Sequence, residues 1–411
     1  MASVDAPKGT ATLMQTSEFH DIVKDRTLPV AWVDLDAVAR NVDMFAGYAQ
    51  RAGKTIRLAS KSIRHVGLMR RILAHPSGVF KGILCFTVEE AVWLFEQGLD
   101  DLIVAYPSVN QRALDAACAA MKNGAQIRLM VDHHSHLEAI HDAAIRHEVT
   151  APILLDVDVA LKPMTWMHLG ARRSPLRTAE SISLLLEHAQ NFSRIQVDGV
   201  MTYESQVAGL PDKTPRRVFW NGIVRWMKRM SVRDVSARRR VVDSLLPTEG
   251  ERPSIHNGGG TGSIKSTMTD PVVSEVTVGS GFLGGTLFDY YRDLSIEPAV
   301  YFALEVCRIP EQGWVTCLGG GPMASGAPGV DRLPVPIHPS GLQLSTAEGI
   351  GEVQTPLRIT SGQTLSIGQP VVFRPPKSGE LAARFSEYLM VENGVVAAVE
   401  PTYRGMGVSF L

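Results

Sequence analysis

The sequence of 411 residues has little cysteine and almost no net charge. The 41 basic and 42 acidic residues leave a formal charge of -1, so the chain has no overall field that would recruit nucleic acid or an anionic membrane. We therefore predict a small-molecule partner and neither a nucleic-acid nor a membrane partner. The four cysteines stand far apart without any CxxC spacing, which argues against a zinc ribbon and a disulfide framework; they are Cys85, Cys118, Cys307 and Cys317.

The sequence also lacks long apolar runs. No stretch of about 18 apolar residues could span a bilayer, and the first segment, MASVDAPKGTATLMQTSEFH, contains no apolar stretch of signal-peptide length. Together with the sparse cysteines, this predicts a cytoplasmic protein. Residues 1–27 are small and polar, and we expect an N-terminal arm there without a catalytic part.

Residues 28–293 alternate between short β-rich segments and helical patterns. The helical segments carry apolar residues at spacings of three and four, and several end in glycine. Strand followed by helix, repeated eight or nine times, predicts a closed (β/α)8 TIM-like barrel rather than an open sheet. The predicted strands lie in PVAWVDL, TIRLAS, FKGILCFT, DLIVAYP, QIRLMVD, APILLDVDV, RIQVDGVMTY, PSIHNGG and SEVTVGSG.

The pattern changes over residues 294–411. Short apolar runs there are interrupted by glycine and proline, for example in AVYFALEVCRI, TLSIGQPVVFR and GVVAAVEPTYRG. This is typical of an antiparallel β domain with hairpin turns. The N-terminal segment can pack on this domain.

Lys61 directly follows the predicted strand TIRLAS. The carboxyl ends of the strands form the mouth of a barrel, where barrel enzymes keep their active sites. A lysine in a partly desolvated pocket has a lowered pKa and can form a Schiff base with an aldehyde. Taken alone, however, a lysine after a strand is more often an ordinary surface residue.

Two glycine-rich segments follow consecutive late strands. HNGGGTGS, at 256–263, has three adjacent glycines that let backbone N–H groups approach a phosphate, and Thr261 and Ser263 add hydroxyl donors. GSGFLGG, at 279–285, lies at the next strand end. Neighbouring late strands of barrels commonly share one phosphate site. The two segments together therefore predict a phosphate site more strongly than either segment alone.

These parts, in this order, resemble the fold type III pyridoxal-phosphate enzymes with an alanine racemase-like barrel, and within them the group of D-threonine aldolase and D-serine dehydratase. The resemblance covers nearly the whole chain and implies pyridoxal 5'-phosphate as cofactor, with Lys61 of RLASKS as its Schiff-base lysine. VDGVMTYES matches the strand that ends in an active-site tyrosine, here Tyr203. In HLGARRSP we choose Arg172 as the arginine near the cofactor, with Arg173 as the alternative. The implied cofactor-binding residues of the two loops are Asn257, Gly258, Gly259, Gly260, Thr261, Gly262, Ser280 and Gly281.

The sequence departs from that group at its metal site. The relatives hold a divalent metal with an HxC or HxD pair in the β domain, whereas VVFRPPKSGEL places Pro375 and Lys377 at those positions. EGIGEVQTPL, upstream, also lacks the histidine of the corresponding stretch. Neither proline nor a protonated lysine ligates a metal, so we predict no metal. Lys377 can instead place a cation or a second base beside the substrate.

The resemblance implies a pyridoxal-phosphate-dependent lyase acting on a D-β-hydroxy amino acid, by aldolase-like retro-aldol cleavage or by dehydration and deamination. Lys61, Tyr203 and Lys377 are the candidate catalytic residues. An amino acid racemase is the alternative, because Tyr388, Tyr403 or Lys377 could supply a second base. A non-catalytic pyridoxal-phosphate carrier is less favoured, because single-domain barrels of that kind lack a β domain. The resemblance also implies a head-to-tail homodimer in which the partner's β domain completes each site.

Overall fold

The computed structural model describes residues 14, 16–164, 166–215, 218–246 and 255–411. The strands are β1 (Val30–Asp34), β2 (Thr55–Ala59), β3 (Phe80–Cys85), β4 (Leu102–Val104), β5 (Ile127–Val131), β6 (Ala151–Asp156), β7 (Leu161–Met164), β8 (Met167–Leu169), β9 (Ile195–Thr202), β10 (Ile255–Gly258), β11 (Glu275–Val278), β12 (Val300–Arg308), β13 (Trp314–Leu318), β14 (Val335–His338), β15 (Leu342–Leu344), β16 (Gln354–Ile359), β17 (Pro370–Arg374), β18 (Glu387–Glu392) and β19 (Val395–Pro401). The α-helices are α1 (Thr16–Val23), α2 (Leu35–Ala52), α3 (Val66–Leu73), α4 (Val88–Glu96), α5 (Gln111–Lys122), α6 (His134–His147), α7 (Ala179–Gln190), α8 (Ser205–Ala208), α9 (Val218–Leu245), α10 (Ile264–Met268) and α11 (Gly379–Ala382).

A closed barrel of parallel strands forms in the order β10-β11-β2-β3-β4-β5-β6-β9. Helix caps follow the sequence signals: the Asp34 side chain accepts a hydrogen bond from the Ala37 N–H at the start of α2, and Gly53 ends that helix at a φ of 64°. The predicted fold class, a (β/α)8 barrel followed by an antiparallel β domain, is confirmed.

The first predicted strand was assigned to the wrong sheet. β1 pairs antiparallel with β12 and parallel with β18, in the nine-stranded sheet of the β domain. The barrel closes without it, because β11 pairs with β2. Trp32 of β1 stacks on Tyr301 at 5.6 Å between ring centroids, and Phe19 of α1 packs edge-on against Tyr301 at 5.5 Å. The N-terminal helix and the first strand are therefore part of the second domain.

The two domains are joined closely beside the barrel mouth. Asn41 of α2 donates to the carbonyl oxygens of Phe282 and Glu297, at 3.2 and 2.9 Å. The segment after β17 lies against the barrel: Thr286 donates its N–H to the carbonyl of Pro375 at 3.0 Å. In the described part of the chain, no helix is long and apolar enough to cross a membrane.

Candidate active site

A cavity of about 420 Å³ opens at the carboxyl ends of the barrel strands and extends to the β domain. Residues of both domains line it, which makes it the natural place for chemistry in this fold. On the barrel side the polar and aromatic lining includes Lys61, Ser62, Arg64, Tyr106, Arg173, Tyr203, Asn257, Thr261, Ser280 and Tyr291. On the β-domain side it includes Ser325, Arg332, Lys377 and Glu380.

Lys61 lies in a 3-10 turn, Ser60–Ser62, that directly follows β2. Its Nζ donates to the Tyr106 hydroxyl at 3.3 Å. The turn is fixed from behind, because the Ser60 hydroxyl lies within hydrogen-bond distance of the Leu84 carbonyl, at 3.1 Å, and of the Glu90 carboxyl group, at 3.0 Å. Lys61 is thus exposed to the cavity, while Ser60, directly before it, is buried.

Arg173, and not Arg172, is the arginine of the HLGARRSP segment that lines the cavity. Its guanidinium lies 5.6 Å from the ring centroid of Tyr106 and 5.5 Å from that of Tyr203. It pairs with Asp156, at the end of β6, across 3.1 Å. Arg172, which we chose from the sequence, is exposed and does not line the cavity. The ion pair with the buried carboxylate explains which of the two neighbours turns inward.

Tyr203 follows β9 and lines the cavity as expected from its position in the sequence. Burial, together with the charge of the neighbouring Glu204, raises the pKa of its phenol to about 12. The hydroxyl is therefore protonated at neutral pH and can donate a hydrogen bond. A Cβ atom at Gly260 would lie 3.3 Å from the Tyr203 ring, so the glycine loop runs directly against it.

The two glycine loops meet at the cavity. Each contains a 3-10 turn, Thr261–Ser263 and Ser280–Phe282, whose first N–H groups have no partner inside the turn. Thr261 Oγ1 accepts the Gly281 N–H at 3.2 Å and so joins the loops. Such converging N–H groups suit a phosphate. The loop residues on the cavity surface are Asn257, Gly259, Gly260, Thr261, Gly262, Gly279 and Ser280.

Three of the loop residues that we proposed from the sequence as cofactor-binding residues make contacts within the protein. Gly258 does not line the cavity, and a Cβ there would lie 2.5 Å from Arg239 Nη2. Gly281 is buried behind the surface, where its N–H is held by Thr261. Asn257 reaches the cavity, but its amide donates to Glu275 at 2.7 Å. These residues shape the loops from behind.

A buried ion pair supports the first glycine loop. Glu204 accepts hydrogen bonds from the Gly259 N–H at 3.0 Å and from Arg239 at 2.7 Å, and Thr267 also donates to it. Arg239 lies on the long helix α9, in a basic segment whose sequence pattern is typical of an ordinary amphipathic helix. Sequence analysis missed it, because nothing in the local pattern separates this arginine from its exposed neighbours.

A compact polar cluster of the β domain, Ser325, Arg332, Lys377 and Glu380, faces the cavity. Lys377 Nζ donates to the carbonyl oxygen of Ser325 at 3.0 Å, and Arg332 donates to the same oxygen at 3.3 Å. The Ser325 N–H donates to Glu380 at 2.8 Å. Burial lowers the pKa of Lys377, whereas Glu380 raises it. We call these four residues the β-domain cluster.

The two tyrosines considered as second bases lie in the protein core. Tyr388 is completely buried and stacks on His65, with 5.9 Å between ring centroids. Tyr403 is buried too and donates its hydroxyl to Glu90 at 3.0 Å. Neither lines the cavity, so Lys377 alone of these three candidates can reach it. Tyr106, which the sequence analysis missed, could have been found, because it follows the predicted strand DLIVAYP.

Comparison with known proteins agrees with this geometry. Residues 33–233 match the family model of the alanine racemase N-terminal domain. Much of the barrel is therefore similar to the alanine racemase N-terminal domain. No curated protein matches the chain significantly, but the fold of nearly the whole chain, including the β domain, is found in solved structures, among them a D-threonine aldolase and an alanine racemase.

Three solved structures illustrate this likeness. D-threonine aldolase from Filomicrobium marinum superposes with a TM-score of 0.78 at 18% identity, over 93% of this chain and 97% of that one. D-threo-3-hydroxyaspartate dehydratase from Delftia sp. HT23 gives 0.73 at 17% identity, over 93% and 99%. Alanine racemase from Clostridium difficile 630 in complex with cycloserine gives 0.63 at 13% identity, over 92% and 99%.

The residues of the alanine racemase-like barrel fit pyridoxal phosphate. An amine, a guanidinium beside two tyrosine rings and two converging glycine loops meet in one cavity. A Cβ at Gly262 would lie 2.0 Å from the carbonyl oxygen of Ala208, so the loop holds its shape only with glycine there. The Lys61 amine is a suitable partner for the aldehyde of this cofactor, and the glycine loops are suitable partners for its phosphate.

The residues do not fit a divalent metal. Lys377 lines the cavity as a hydrogen-bonded amine, and Pro375 is buried outside the lining. Within the described ranges, no three His, Cys, Asp or Glu residues come together as a metal site. A proline and a protonated lysine have no lone pair for a metal.

Proposed function

We propose that the protein is a pyridoxal-phosphate-dependent lyase acting on a D-β-hydroxy amino acid, by retro-aldol cleavage or by dehydration and deamination. The observation that carries the proposal is the position of Lys61, in one cavity with Arg173, both glycine loops and the β-domain cluster. Structural likeness to an aldolase and a dehydratase for D-amino acids supports this class of reaction.

In this proposal the chain holds the cofactor through three groups. Lys61 would bind its aldehyde carbon, the N–H groups around Thr261 and Ser280 would hold its phosphate, and Arg173 and Tyr203 would contact the cofactor from the barrel side. When bound, pyridoxal phosphate accepts the electron pair released at Cα. Lys61, the primary amine on the barrel side of the cavity, would take a proton from the substrate.

The β-domain cluster is assigned to the substrate. Arg332 and Lys377 bring positive charge to the side of the cavity that faces Lys61, where the α-carboxylate and the β-hydroxyl of an amino acid would bind. A domain that reaches over the barrel mouth in this way also excludes water. This argues for an enzyme and against a carrier of the cofactor alone.

A racemase is the second candidate, and one observation favours it. The cavity contains two primary amines, Lys61 from the barrel and Lys377 from the β domain. Racemisation needs a base on each face of Cα, and two amines could supply them.

We also propose a homodimer, which solution sizing would test.

The first experiment is an absorbance spectrum of the protein before and after borohydride, for wild type and Lys61→Ala. We expect a visible band that reduction abolishes and that the variant lacks. D- and L-serine and threonine are then added, with and without chelator, and the products are identified. If a D-amino acid is converted to an oxo acid or to an aldehyde, the lyase is supported. If an amino acid is converted to its opposite enantiomer, the racemase is supported. A protein without the band after addition of pyridoxal phosphate refutes the cofactor assignment.

A further inference from the structure

The amine of Lys377 has one hydrogen-bond donor to spare. An ammonium group carries three N–H donors. The Ser325 carbonyl takes one at 3.0 Å, and the Ser325 hydroxyl lies at 3.4 Å as a second acceptor. Because Lys377 lines the cavity, the remaining donor is available to a bound molecule.

Lys377 is held in place by the loop that contains Ser325. The Ser325 carbonyl accepts hydrogen bonds from both Lys377 and Arg332, and its N–H donates to Glu380 at 2.8 Å. Three side chains from two segments of the β domain, one with Arg332 and one with Lys377 and Glu380, thus converge on the backbone of Ser325. These hydrogen bonds therefore hold the Lys377 amine in one position, unlike the amine of an exposed surface lysine.

The charges around this amine come from both domains. Burial lowers the pKa of Lys377, Glu380 and Asp331 raise it, and Arg332 and Lys61 lower it. A lowered pKa makes an ammonium group a better proton donor near neutral pH. Arg332 cannot take that part, because a guanidinium does not give up its proton in proteins.

We propose that Lys377 is the catalytic acid that protonates the departing β-hydroxyl group, so that the lyase is a metal-independent dehydratase of β-hydroxy amino acids. The inference rests on the proposed function. It adds the substrate class and the bond that breaks between Cβ and oxygen.

The proposed step balances in protons and electrons. Lys61 takes the proton from Cα, and the electron pair of that bond forms the double bond between Cα and Cβ. The Cβ–O bond breaks, its electron pair leaves on oxygen, and the proton from Lys377 completes a water molecule. The unsaturated amine that remains hydrolyses to an oxo acid and ammonia.

The test compares two leaving groups on the cofactor-loaded full chain. Hydroxide needs a proton to leave, whereas chloride does not. We expect Lys377→Met to lower kcat for D-serine and D-threonine by about 100-fold or more, the range of acid catalysis, and to leave kcat for β-chloro-D-alanine nearly unchanged. Lys377→Arg should behave like Lys377→Met. Lys122→Met, which changes an exposed lysine, should match wild type with both kinds of substrate.

A second readout does not depend on activity. Amine-selective labelling of the wild-type protein across pH, followed by mass spectrometry, should modify Lys377 at lower pH than Lys122. The visible absorbance band of Lys377→Met should equal that of wild type, because the residue acts on the substrate.

The outcomes separate the two proposals. Equal losses with hydroxyl and chloro substrates, no loss with either, or labelling of Lys377 at the pH of an exposed lysine overturns the role of Lys377 as the acid and leaves the lyase proposal standing. A wild-type protein that binds the cofactor but removes neither water nor chloride and does not cleave D-threonine overturns both. Retro-aldol products from D-threonine without dehydration overturn the dehydratase assignment, and with it the role of Lys377 as the acid, and leave the lyase proposal standing.

Discussion

Arg173 and Arg172 are neighbours in the chain with different surroundings, and this predicts different effects on replacement. Arg173→Met removes the cation from between Tyr106 and Tyr203 and leaves the buried Asp156 without its partner. We expect cofactor affinity to fall at least about tenfold, which is about 1.4 kcal/mol, and the unfolding temperature to fall as well.

The matched control is Arg172→Met, because Arg172 is exposed and lies outside the cavity. Equilibrium dialysis with pyridoxal phosphate and thermal unfolding of both variants make the comparison. Equal effects in the two variants would show that we have assigned the inward arginine wrongly.

Glu90 predicts a pH dependence of stability. Burial raises the pKa of its carboxyl from 4.5 to about 7, although Phe86, Ser60 and Tyr403 lower it through hydrogen bonds. The folded protein therefore keeps a proton that the unfolded chain releases, and the stabilisation from that proton is lost as pH rises through about 7. Glu90→Gln should remove up to about 3 kcal/mol of this pH dependence between about pH 5 and pH 8.

The control for this prediction is the adjacent residue. Glu89 lies on the same helix but is exposed, so Glu89→Gln should keep the wild-type dependence on pH. Denaturant unfolding at the two pH values measures the free energy of each protein. If Glu90→Gln and wild type lose stability in parallel, Glu90 is ionised in the folded state.

At the scale of elements, the first glycine loop depends on one close contact. A Cβ at Gly262 would lie 2.0 Å from the carbonyl oxygen of Ala208 and 2.6 Å from the ring of Tyr291. Because the nearer atom belongs to the backbone, Gly262→Ala must displace the loop, at a cost of about 1–3 kcal/mol. We expect weaker cofactor binding, measured by titration of the visible absorbance band.

A glycine with free space provides the comparison. Gly222 lies within α9, and the nearest atom to an added Cβ is 4.0 Å away, at the end of the flexible Arg225 side chain. Gly222→Ala should keep the affinity for the cofactor and stabilise the helix by up to about 1 kcal/mol. If Gly262→Ala binds the cofactor as tightly as Gly222→Ala does, the loop does not have the role in cofactor binding that we give it.

How far the elements could be predicted depends on the range of their contacts. The barrel strands were predictable because they alternate with local helices and several are followed by glycine or polar residues, as β2 is followed by Ser60 and Lys61. The strand β1 was not, since an apolar run that is buried on both faces looks the same in either sheet. Its partners, β12 and β18, lie at the far end of the sequence.

The candidate site was predictable to a similar extent. Residues at strand ends, such as Lys61, Tyr203 and Thr261, follow from the rule that the mouth of a barrel carries its chemistry. The choice between Arg172 and Arg173 did not follow, because it depends on a buried carboxylate one element away. Ser325, from a loop of the β domain, could not be placed without the tertiary structure.

At the scale of the whole molecule, the question is which chain completes the cavity. The resemblance implies that the partner's β domain does so, but in this structure Lys377 and Lys61 of one chain line the same cavity. The backbones confirm how close these segments are, because a Cβ at Gly379 would lie 2.3 Å from the carbonyl oxygen of Lys61. The pairing of the two lysines is therefore expected to be intramolecular.

Mixed dimers of Lys61→Ala and Lys377→Met subunits test this expectation. If both lysines of a site come from one chain, each site of the mixed dimer lacks one of them, and dehydratase activity stays at the level of the parent variants. If Lys377 came from the partner, one site in each mixed dimer would hold both lysines and activity would return to about half of wild type. The two subunits carry different affinity tags, so that only mixed dimers are assayed. Failure to isolate any mixed dimer, together with a monomer on sizing, would refute the proposed homodimer itself.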